Sequence, residues 1–266
     1  MTTGPSLPDA ERAVRIRSGD AHWARRAEPG ELDAAIAAWQ QAAVESDATT
    51  LAKLAHALHF RGYRAANAGG GPTGNDPLAD HRRGAELGQR AALAANPALA
   101  AAVARGAPLE DRLAQADAAA VPGIFWRALN LRAVAEAGGF MAVAEISPKL
   151  RQAMETCLRL DEGYYYGGAY RYLGTFFARA PSVAGGDMDT SQRHFEKAMT
   201  LAPAFLATRV LWAEFYATKR EDREGFRREL SFVINQPDDA LPEAIAENRV
   251  EKLRARAVLA RESSLF

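Results

Sequence analysis

Residues 191–203, SQRHFEKAMTLAP, carry the side-chain spacing that decides the fold. Ser191 is followed after four residues by Phe195, then after three by Ala198 and after five by Pro203. Residues three and four apart share one face of a helix, so the small side chains let a second helix approach while the bulky one fills the gap. Proline cannot continue a helix and marks its end. This pattern is typical of the second helix in a tetratricopeptide helix pair.

The same spacing of a small, a bulky, a small and a terminating residue recurs along the chain. Its other copies are Ala35, Trp39, Ala42, Asp47; Ala85, Gln89, Ala92, Pro97; Leu150, Met154, Cys157, Glu162; and, more loosely, Phe226, Leu230, Val233, Asp238. The period-two alternation of β-branched residues that indicates strands is absent. The sequence therefore predicts an all-α fold, a tetratricopeptide-like α-solenoid of antiparallel helix pairs with inserted loops and a C-terminal capping helix. We expect residues 1–8 to form a disordered arm and residues 9–266 to form a single helical-repeat domain.

The copies are unevenly spaced, which predicts insertions. Successive copies are displaced by 50, 65, 41 and 35 residues, whereas a bare unit repeats at about 34 residues. Insertions in a repeat array become loops on one face, often the binding face. The candidate loops are 68–77 (AGGGPTGNDP), 106–123, 138–148 (GGFMAVAEISP) and 180–187 (APSVAGGD). Gly174 is costly inside a helix, so we expect it to make room for a neighbouring helix.

Charge balance and cysteine count exclude several classes of protein. The 33 Lys and Arg residues are matched by 33 Asp and Glu residues, so the basic excess of a nucleic-acid-binding protein is absent and we expect no such partner. The single cysteine, Cys157, occupies a small-residue position of a predicted helix, which indicates a packed thiol. No stretch reaches the about 18 to 20 apolar residues that cross a bilayer. Residues 1–13 show neither a hydrophobic signal core nor a cysteine for a lipid.

Two groups of residues carry weak signals for bound phosphate or metal. The run GGGPTG at 69–74 lacks the Lys-Ser/Thr ending of a P-loop and follows no strand, which favours a flexible loop. His56 and His59 lie three apart on a predicted helix, and His81 could join them around a metal. The HExxH arrangement is absent, so half-buried or surface histidines are favoured, and we predict no metal and no cofactor. No nucleophile motif stands out, which predicts a protein that is not an enzyme.

Two aromatic clusters form the candidate binding site. Tyrosines at the start of one predicted helix exceed what helix-pair packing needs, and a second cluster opens another helix. A groove lined by aromatic rings, an arginine and an asparagine is typical of a site for a small organic acid or a peptide segment. The alternative is that these side chains form core and ordinary surface, because successive residues cover all faces of a helix. The predicted ligand-binding residues are Trp126, Arg127, Asn130, Tyr164, Tyr165, Tyr170 and Arg171.

One long stretch also resembles a known family. Residues 164–226, YYYGGAYRYLGTFFARAPSVAGGDMDTSQRHFEKAMTLAPAFLATRVLWAEFYATKREDREGF, resemble the T component (TatT family) of tripartite ATP-independent periplasmic (TRAP) transporters. The similarity continues through FWRALNLRAVAEAGG upstream and PEAIAENRVEKLRARAVLA downstream, with a weaker echo in GDAHWARR. The family's motif positions are matched by Trp126, Asn130, Tyr170, Arg171, Gly185, Gly186, Asp187, Glu214 and Asn248.

The resemblance implies an all-helical protein, periplasmic and lipid-anchored, that associates with the substrate-binding protein of a TRAP system; relatives assemble as trimers around hydrophobic channels. Most of the matched residues are expected to preserve the fold. Gly185 and Gly186 are expected to permit positive φ, and Asp187 to cap the following helix.

The residue patterns and the resemblance to the TatT family together predict a non-enzymatic accessory protein of a TRAP-type transport system. It would dock a periplasmic solute-binding protein and bind a small apolar or carboxylate ligand. The alternative is a general tetratricopeptide protein-interaction scaffold without a small-molecule role. A third hypothesis is a helical enzyme or metal protein that uses the three histidines. The periplasmic location follows from the resemblance, and a cytoplasmic one stays open.

Overall fold

A computed structural model describes residues 7–67 and 75–266 of the chain. Over these residues every regular element is helical and no strand is present, so the all-α prediction is confirmed. The α-helices are α1 (Asp9–Ala24), α2 (Glu31–Ala42), α3 (Ala48–Asn67), α4 (Pro77–Ala95), α5 (Pro97–Val103), α6 (Val121–Gly138), α7 (Phe140–Leu160), α8 (Tyr164–Arg179), α9 (Met188–Leu201), α10 (Ala207–Leu211), α11 (Arg223–Asn235), α12 (Ile245–Leu259) and α13 (Glu262–Leu265).

Shorter helical elements connect or extend these helices. A π-helical segment, Trp212–Ala217, continues α10. The 3₁₀ helices are Leu109–Gln115, Ala118–Ala120, Ser182–Ala184 and Pro242–Ala244. None of the described helices is long and apolar enough to cross a membrane.

The chain divides into two compact units. Among the described residues, the first comprises 7–63 and 75–156, and the second comprises 64–67 and 157–266. The solenoid arrangement and the single repeat domain both stay predictions.

Buried side chains at the predicted spacing confirm the pattern that opened the sequence analysis. Ser191, Phe195 and Ala198 are fully buried in α9, and the corresponding residues of the other second helices are buried except Gln89, which is half-buried. The further buried positions are Ala35, Trp39, Ala42, Ala85, Ala92, Leu150, Met154, Cys157, Phe226, Leu230 and Val233. Burial raises the pKa of the Cys157 thiol to about 12, which fits a packed thiol.

In the first unit, α1 packs against α2 and α4 packs against α6. Gly19 of α1 faces the indole of Trp39, which would overlap a side chain at that position. The backbones of α4 and α6 meet at Gly88 and Gly123, where a Cβ on Gly88 would lie 2.8 Å from the Gly123 carbonyl oxygen. Only glycine permits two helix backbones to approach this closely.

In the second unit, α8 packs against α9, and α11 packs against α12. A Cβ on Gly174 of α8 would lie 2.9 Å from the Phe195 ring, and the Ser191 hydroxyl donates a 2.7 Å hydrogen bond to the Gly174 carbonyl oxygen. The prediction that Gly174 makes room for a neighbouring helix is therefore confirmed. Phe226 and Leu230 of α11 share a core with Ala255 of α12.

Two of the predicted loops are largely helical. The stretch 138–148 was expected to be a loop, but α7 already begins at Phe140 and includes Pro148. Proline cannot donate to the carbonyl of the preceding turn, and the Ser147 hydroxyl donates to the Val143 carbonyl oxygen just before it. The stretch 106–123 contains two 3₁₀ helices and the start of α6. Short local hydrogen-bonded turns therefore form much of this stretch.

Of the other two candidate loops, the structure describes 180–187 in full and 68–77 only in part. In the candidate loop 68–77, residues 68–74 lie outside the described residues, and these include the glycine-rich run GGGPTG that was considered for phosphate binding. Residues 1–6 of the predicted arm also lie outside the described residues. The loop 180–187 is confirmed, with a 3₁₀ turn in its middle.

The end of loop 180–187 begins α9 largely as expected. Gly185 has φ 86°, and the Asp187 carboxylate accepts a 2.6 Å hydrogen bond from the Thr190 backbone N–H. This hydrogen bond lowers the pKa of Asp187. Gly186 does not adopt positive φ, so that expectation is wrong. It is instead required because a Cβ would overlap the Ala180 carbonyl oxygen.

Candidate functional site

Asn130 anchors the predicted site residues of the first unit. Its side chain is fully buried, and Nδ2 donates to the carbonyl oxygens of Ala55 at 3.1 Å and Trp126 at 2.8 Å. Its Oδ1 lies 2.9 Å from Nδ1 of His81. Because both amide protons go to carbonyls, Oδ1 acts as an acceptor and His81 Nδ1 carries the proton. Asn130 therefore ties α3, α4 and α6 together.

Arg127 is engaged by a carboxylate of its own unit. Its Nε donates a 2.6 Å hydrogen bond to Glu110, whose side chain is buried, and its Nη1 donates to the Ala85 carbonyl oxygen at 3.3 Å. A partly buried ion pair of this kind satisfies both charges. A ligand carboxylate would have to compete with Glu110 for the guanidinium.

Trp126 lies in a cluster of aromatic and imidazole rings. The His56 ring stacks on it with centroids 3.7 Å apart and an interplanar angle of 10°, and the His59 ring lies 5.6 Å away. Trp23 of α1 meets His56 edge to face at 4.7 Å. These four residues, Trp23, His56, His59 and Trp126, are called the His–Trp cluster below.

Both histidines of the His–Trp cluster are held neutral. Burial lowers the pKa of His56 well below its ordinary value, with smaller contributions from Arg26 and His59. Burial, followed by the proximity of His81, lowers the pKa of His59 to about 3. Across residues 7–67 and 75–266, no three His, Cys, Asp or Glu side chains are arranged to hold a metal ion. The grouping of His56, His59 and His81 foreseen from the sequence does exist, but as ring packing.

The predicted site residues of the second unit surround a left-handed turn. Tyr165 (φ 47°, ψ 56°), Tyr166 (φ 59°, ψ 45°) and Gly167 (φ 66°, ψ 35°) are consecutive residues in the left-handed region within the first turn of α8. Two bulky residues in this region are uncommon, because their Cβ atoms approach the following carbonyl oxygen. Such strain persists only where neighbouring groups hold it.

Arg171 is the group that holds this turn. Its buried guanidinium donates to the carbonyl oxygens of Tyr166 at 3.0 Å and Tyr165 at 3.3 Å. It also lies 4.6 Å from the Phe205 ring centroid, and Tyr166 stacks on Phe205 at 4.5 Å. Sequence reasoning did not select Tyr166 or Phe205, although Tyr166 stands inside the quoted tyrosine run.

Tyr164 and Tyr170 are partly exposed at this end of α8. The Tyr170 hydroxyl donates a 2.9 Å hydrogen bond to Glu162, and its ring lies 5.6 Å from His194. Burial, then the Glu162 carboxylate, raises the pKa of Tyr170. Thus Tyr165 and Arg171 meet in one cluster, whereas Tyr170 bonds away from it to Glu162.

Two further motif residues are structural in this chain. Asn248 is fully buried; its Oδ1 accepts from the Leu206 N–H at 3.0 Å, and its Nδ2 donates to the Ala204 carbonyl oxygen at 2.9 Å. Glu214, in the π-helical segment, accepts from Arg254 at 2.5 Å and from Arg261 at 3.2 Å. Both residues tie the end of the chain to the helices before it.

Comparison with known protein families identifies the chain's relatives. The sequence pattern of the TRAP transporter T-component family (TAtT) matches residues 80–266, well over half of the chain. The chain belongs to this family. No curated protein is significantly similar to it.

Membership of the T-component family connects the chain with TRAP transport in an accessory role. The matched range contains the α6 residues, the left-handed turn and Asn248. Trp23, His56 and His59 lie before it. The His–Trp cluster thus combines one residue inside the matched range with three outside it.

Proposed function

We propose that the chain is a non-enzymatic accessory protein of a TRAP transport system that docks the system's solute-binding protein in the periplasm. The observation that carries this proposal is the family match over residues 80–266. Helical arrays present extended surfaces to protein partners, and the all-α fold is consistent with that use.

An exposed apolar pair in the first unit supports docking. Phe140 and Met141, the first residues of α7, are 78% and 76% exposed. Gly139, with φ 88°, redirects the chain just before them. Two adjacent large apolar side chains in water are unfavourable, at about 25 cal/mol per Å² of apolar surface, unless a partner covers them. We propose that the solute-binding protein is this partner.

The second part of the proposal is a small ligand. The sequence left open an apolar or a carboxylate-bearing molecule. The arginines predicted for a carboxylate, Arg127 and Arg171, already donate to Glu110 and to backbone carbonyl oxygens. This arrangement favours the apolar alternative, because an incoming anion would have to displace bonds that the fold uses.

Uptake measurements test the transport role. In the source organism, deletion of the gene should lower uptake of the solute carried by the neighbouring TRAP system, and the gene returned in trans should restore it. Uptake through an unrelated transporter serves as the control. Unchanged TRAP-dependent uptake in the deletion strain would contradict the proposal and favour a general interaction scaffold.

A further inference from the structure

The outward face of α12, in the second unit, exposes basic and apolar residues without an acidic one. The exposed residues of this helix are Arg249, Leu253, Arg256 and Ala257, and they are called the arginine face below. Their spacing of four, three and one residues places them on one side of the helix. Exposed helix faces commonly carry both signs of charge, as α9 does with Glu196 and Lys197. The acidic residues of α12 itself, Glu247 and Glu251, are buried.

The carboxylate at one edge of the arginine face is shared by two basic side chains. Asp238 accepts hydrogen bonds from Arg249 at 2.9 Å and from Lys252 at 2.8 Å. Arg256 forms no ion pair with any residue of the ranges 7–67 and 75–266. One carboxylate therefore faces three cations, which leaves a surplus of two positive charges at this edge.

The other edge of the arginine face repeats this arrangement. Glu214 accepts hydrogen bonds from Arg254 at 2.5 Å and from Arg261 at 3.2 Å. The Glu214 side chain is 16% exposed and that of Arg261 is 56% exposed, so the guanidinium is the group that a partner would meet. A guanidinium has five N–H donors, and exposed ion pairs contribute only about 0 to 1 kcal/mol. A second carboxylate can therefore bind without disrupting the fold.

The centre of the arginine face is apolar and shallow. Leu253 is 43% exposed, Ala257 lies one turn after it, and the exposed Ala260 follows just beyond the end of the helix. Short side chains at a contact let another chain approach closely. Insertion into a lipid surface relies on several large apolar side chains, whereas Leu253 is the single large one among the exposed residues of α12. The face therefore fits a protein partner better than a membrane.

We propose that the arginine face binds an acidic surface of the solute-binding protein. Apolar residues of that surface cover Leu253, and carboxylates around them accept hydrogen bonds from Arg249 and Arg256. Arginine suits such a contact because its planar guanidinium binds a carboxylate through two hydrogen bonds, and the surplus positive charge selects an acidic partner and speeds association. The inference rests on the proposed docking function and does not depend on Phe140 and Met141, which belong to the first unit.

Surface plasmon resonance with the solute-binding protein encoded beside the gene tests the arginine face. The double variant Arg249→Glu, Arg256→Glu should weaken binding at least about tenfold, mainly through slower association. Raising the ionic strength from about 0.05 M to about 0.5 M should weaken binding of the unaltered chain more than binding of the variant. The control Arg15→Glu, Arg17→Glu, at exposed residues of α1, makes the same change in net charge and should leave the affinity unchanged.

The single variant Arg256→Glu separates binding from folding. It breaks no ion pair within the described residues, so it should keep the Tm of the unaltered chain and still weaken binding. Equal affinity of the double variant and the unaltered chain would overturn this inference and leave the docking function intact, as would equal weakening by the α1 control. No complex with the unaltered chain would overturn both.

Vesicles of phosphatidylglycerol test the lipid alternative in the same buffer. The unaltered chain should not sediment with them, because the arginine face offers little apolar surface for insertion. Sedimentation that the double variant abolishes would assign the face to an anionic membrane and overturn the inference.

Discussion

Replacing Gly123 by alanine should destabilise the first unit, although alanine is the better helix former. A Cβ at Gly123 would lie 2.6 Å from the Gly88 carbonyl oxygen and 2.7 Å from the Ala92 Cα, with the Ala92 nitrogen closer still. All three atoms belong to the backbone of α4, so no flexible side chain can yield. The two helices would have to separate to restore ordinary contact distances near 3.5 to 4 Å.

The expected size of this effect follows from two opposing contributions. Gly→Ala within a helix gains about 1 kcal/mol from propensity. Overpacking a close contact costs about 1 to 3 kcal/mol, and more where backbone must move. Separation of α4 from α6 also stretches the bond between His81 and Asn130. Because the atoms that must move are backbone, the cost lies at the upper end of that range or above it. We therefore expect a net loss of about 2 kcal/mol, which lowers Tm by about 4 to 8 °C for a unit of this size.

Thermal unfolding followed by circular dichroism measures this difference. Gly163→Ala is the matched control, because Gly163 has φ −85° and the nearest atom to its Cβ would be the Asp161 carboxylate oxygen at 3.7 Å. Alanine at that position should leave Tm unchanged or slightly higher. A Gly123→Ala protein with Tm equal to or above the parent would refute the close approach of α4 and α6.

Three other measurements test particular contacts. Asn248→Ala should lower the free energy of unfolding by about 2 to 4 kcal/mol, because it leaves the Leu206 N–H and the Ala204 carbonyl oxygen unpaired. Denaturant titration should show a lower midpoint, and an unchanged midpoint would contradict a stabilising role for these two hydrogen bonds. Arg171→Lys should lower Tm, because an ammonium cannot donate to both the Tyr165 and Tyr166 carbonyl oxygens as the guanidinium does. An equal Tm would show that these hydrogen bonds do not stabilise the left-handed turn. The free energy of unfolding should fall on acidification. The pKa of His59 is about 3 in the folded chain and 6.5 for an ordinary histidine, so between pH 6.5 and pH 3 the unfolded chain binds more protons than the folded one. The loss is up to about 1.4 kcal/mol per pH unit in that window, and His59→Phe should reduce the decline in Tm between pH 7 and pH 5.

The helical fold could be predicted because its pattern is local. Ser191, Phe195 and Ala198 share one face of a helix by spacing alone, and all three are buried. The helix formed by 140–147 was missed because Gly138, Gly139 and Pro148 are breakers by type. Whether Pro148 ends a helix or stands within one depends on contacts that the local sequence does not contain.

The candidate site was predicted only in part, because it depends on distant pairs. Arg127 and Asn130 were chosen by type as ligand-binding residues, yet their partners Glu110, Ala55 and His81 come from other elements. The histidine signal was visible as an i, i+3 pair on α3. Its meaning depended on Trp126, 70 residues beyond His56, and no local rule places those two rings in contact.

Mixing the chain with the solute-binding protein encoded beside its gene tests the proposed docking most directly. Size-exclusion chromatography with light scattering, at about 10 µM of each protein, should show a joint peak and also give the number of copies of the chain. The double variant Phe140→Glu, Met141→Glu should keep its Tm, since carboxylates favour a helix N-terminus, and should lose the joint peak. Val14→Glu, at an apolar residue that is 53% exposed in the same unit, should retain it. Separate elution of the unaltered proteins would contradict the docking proposal.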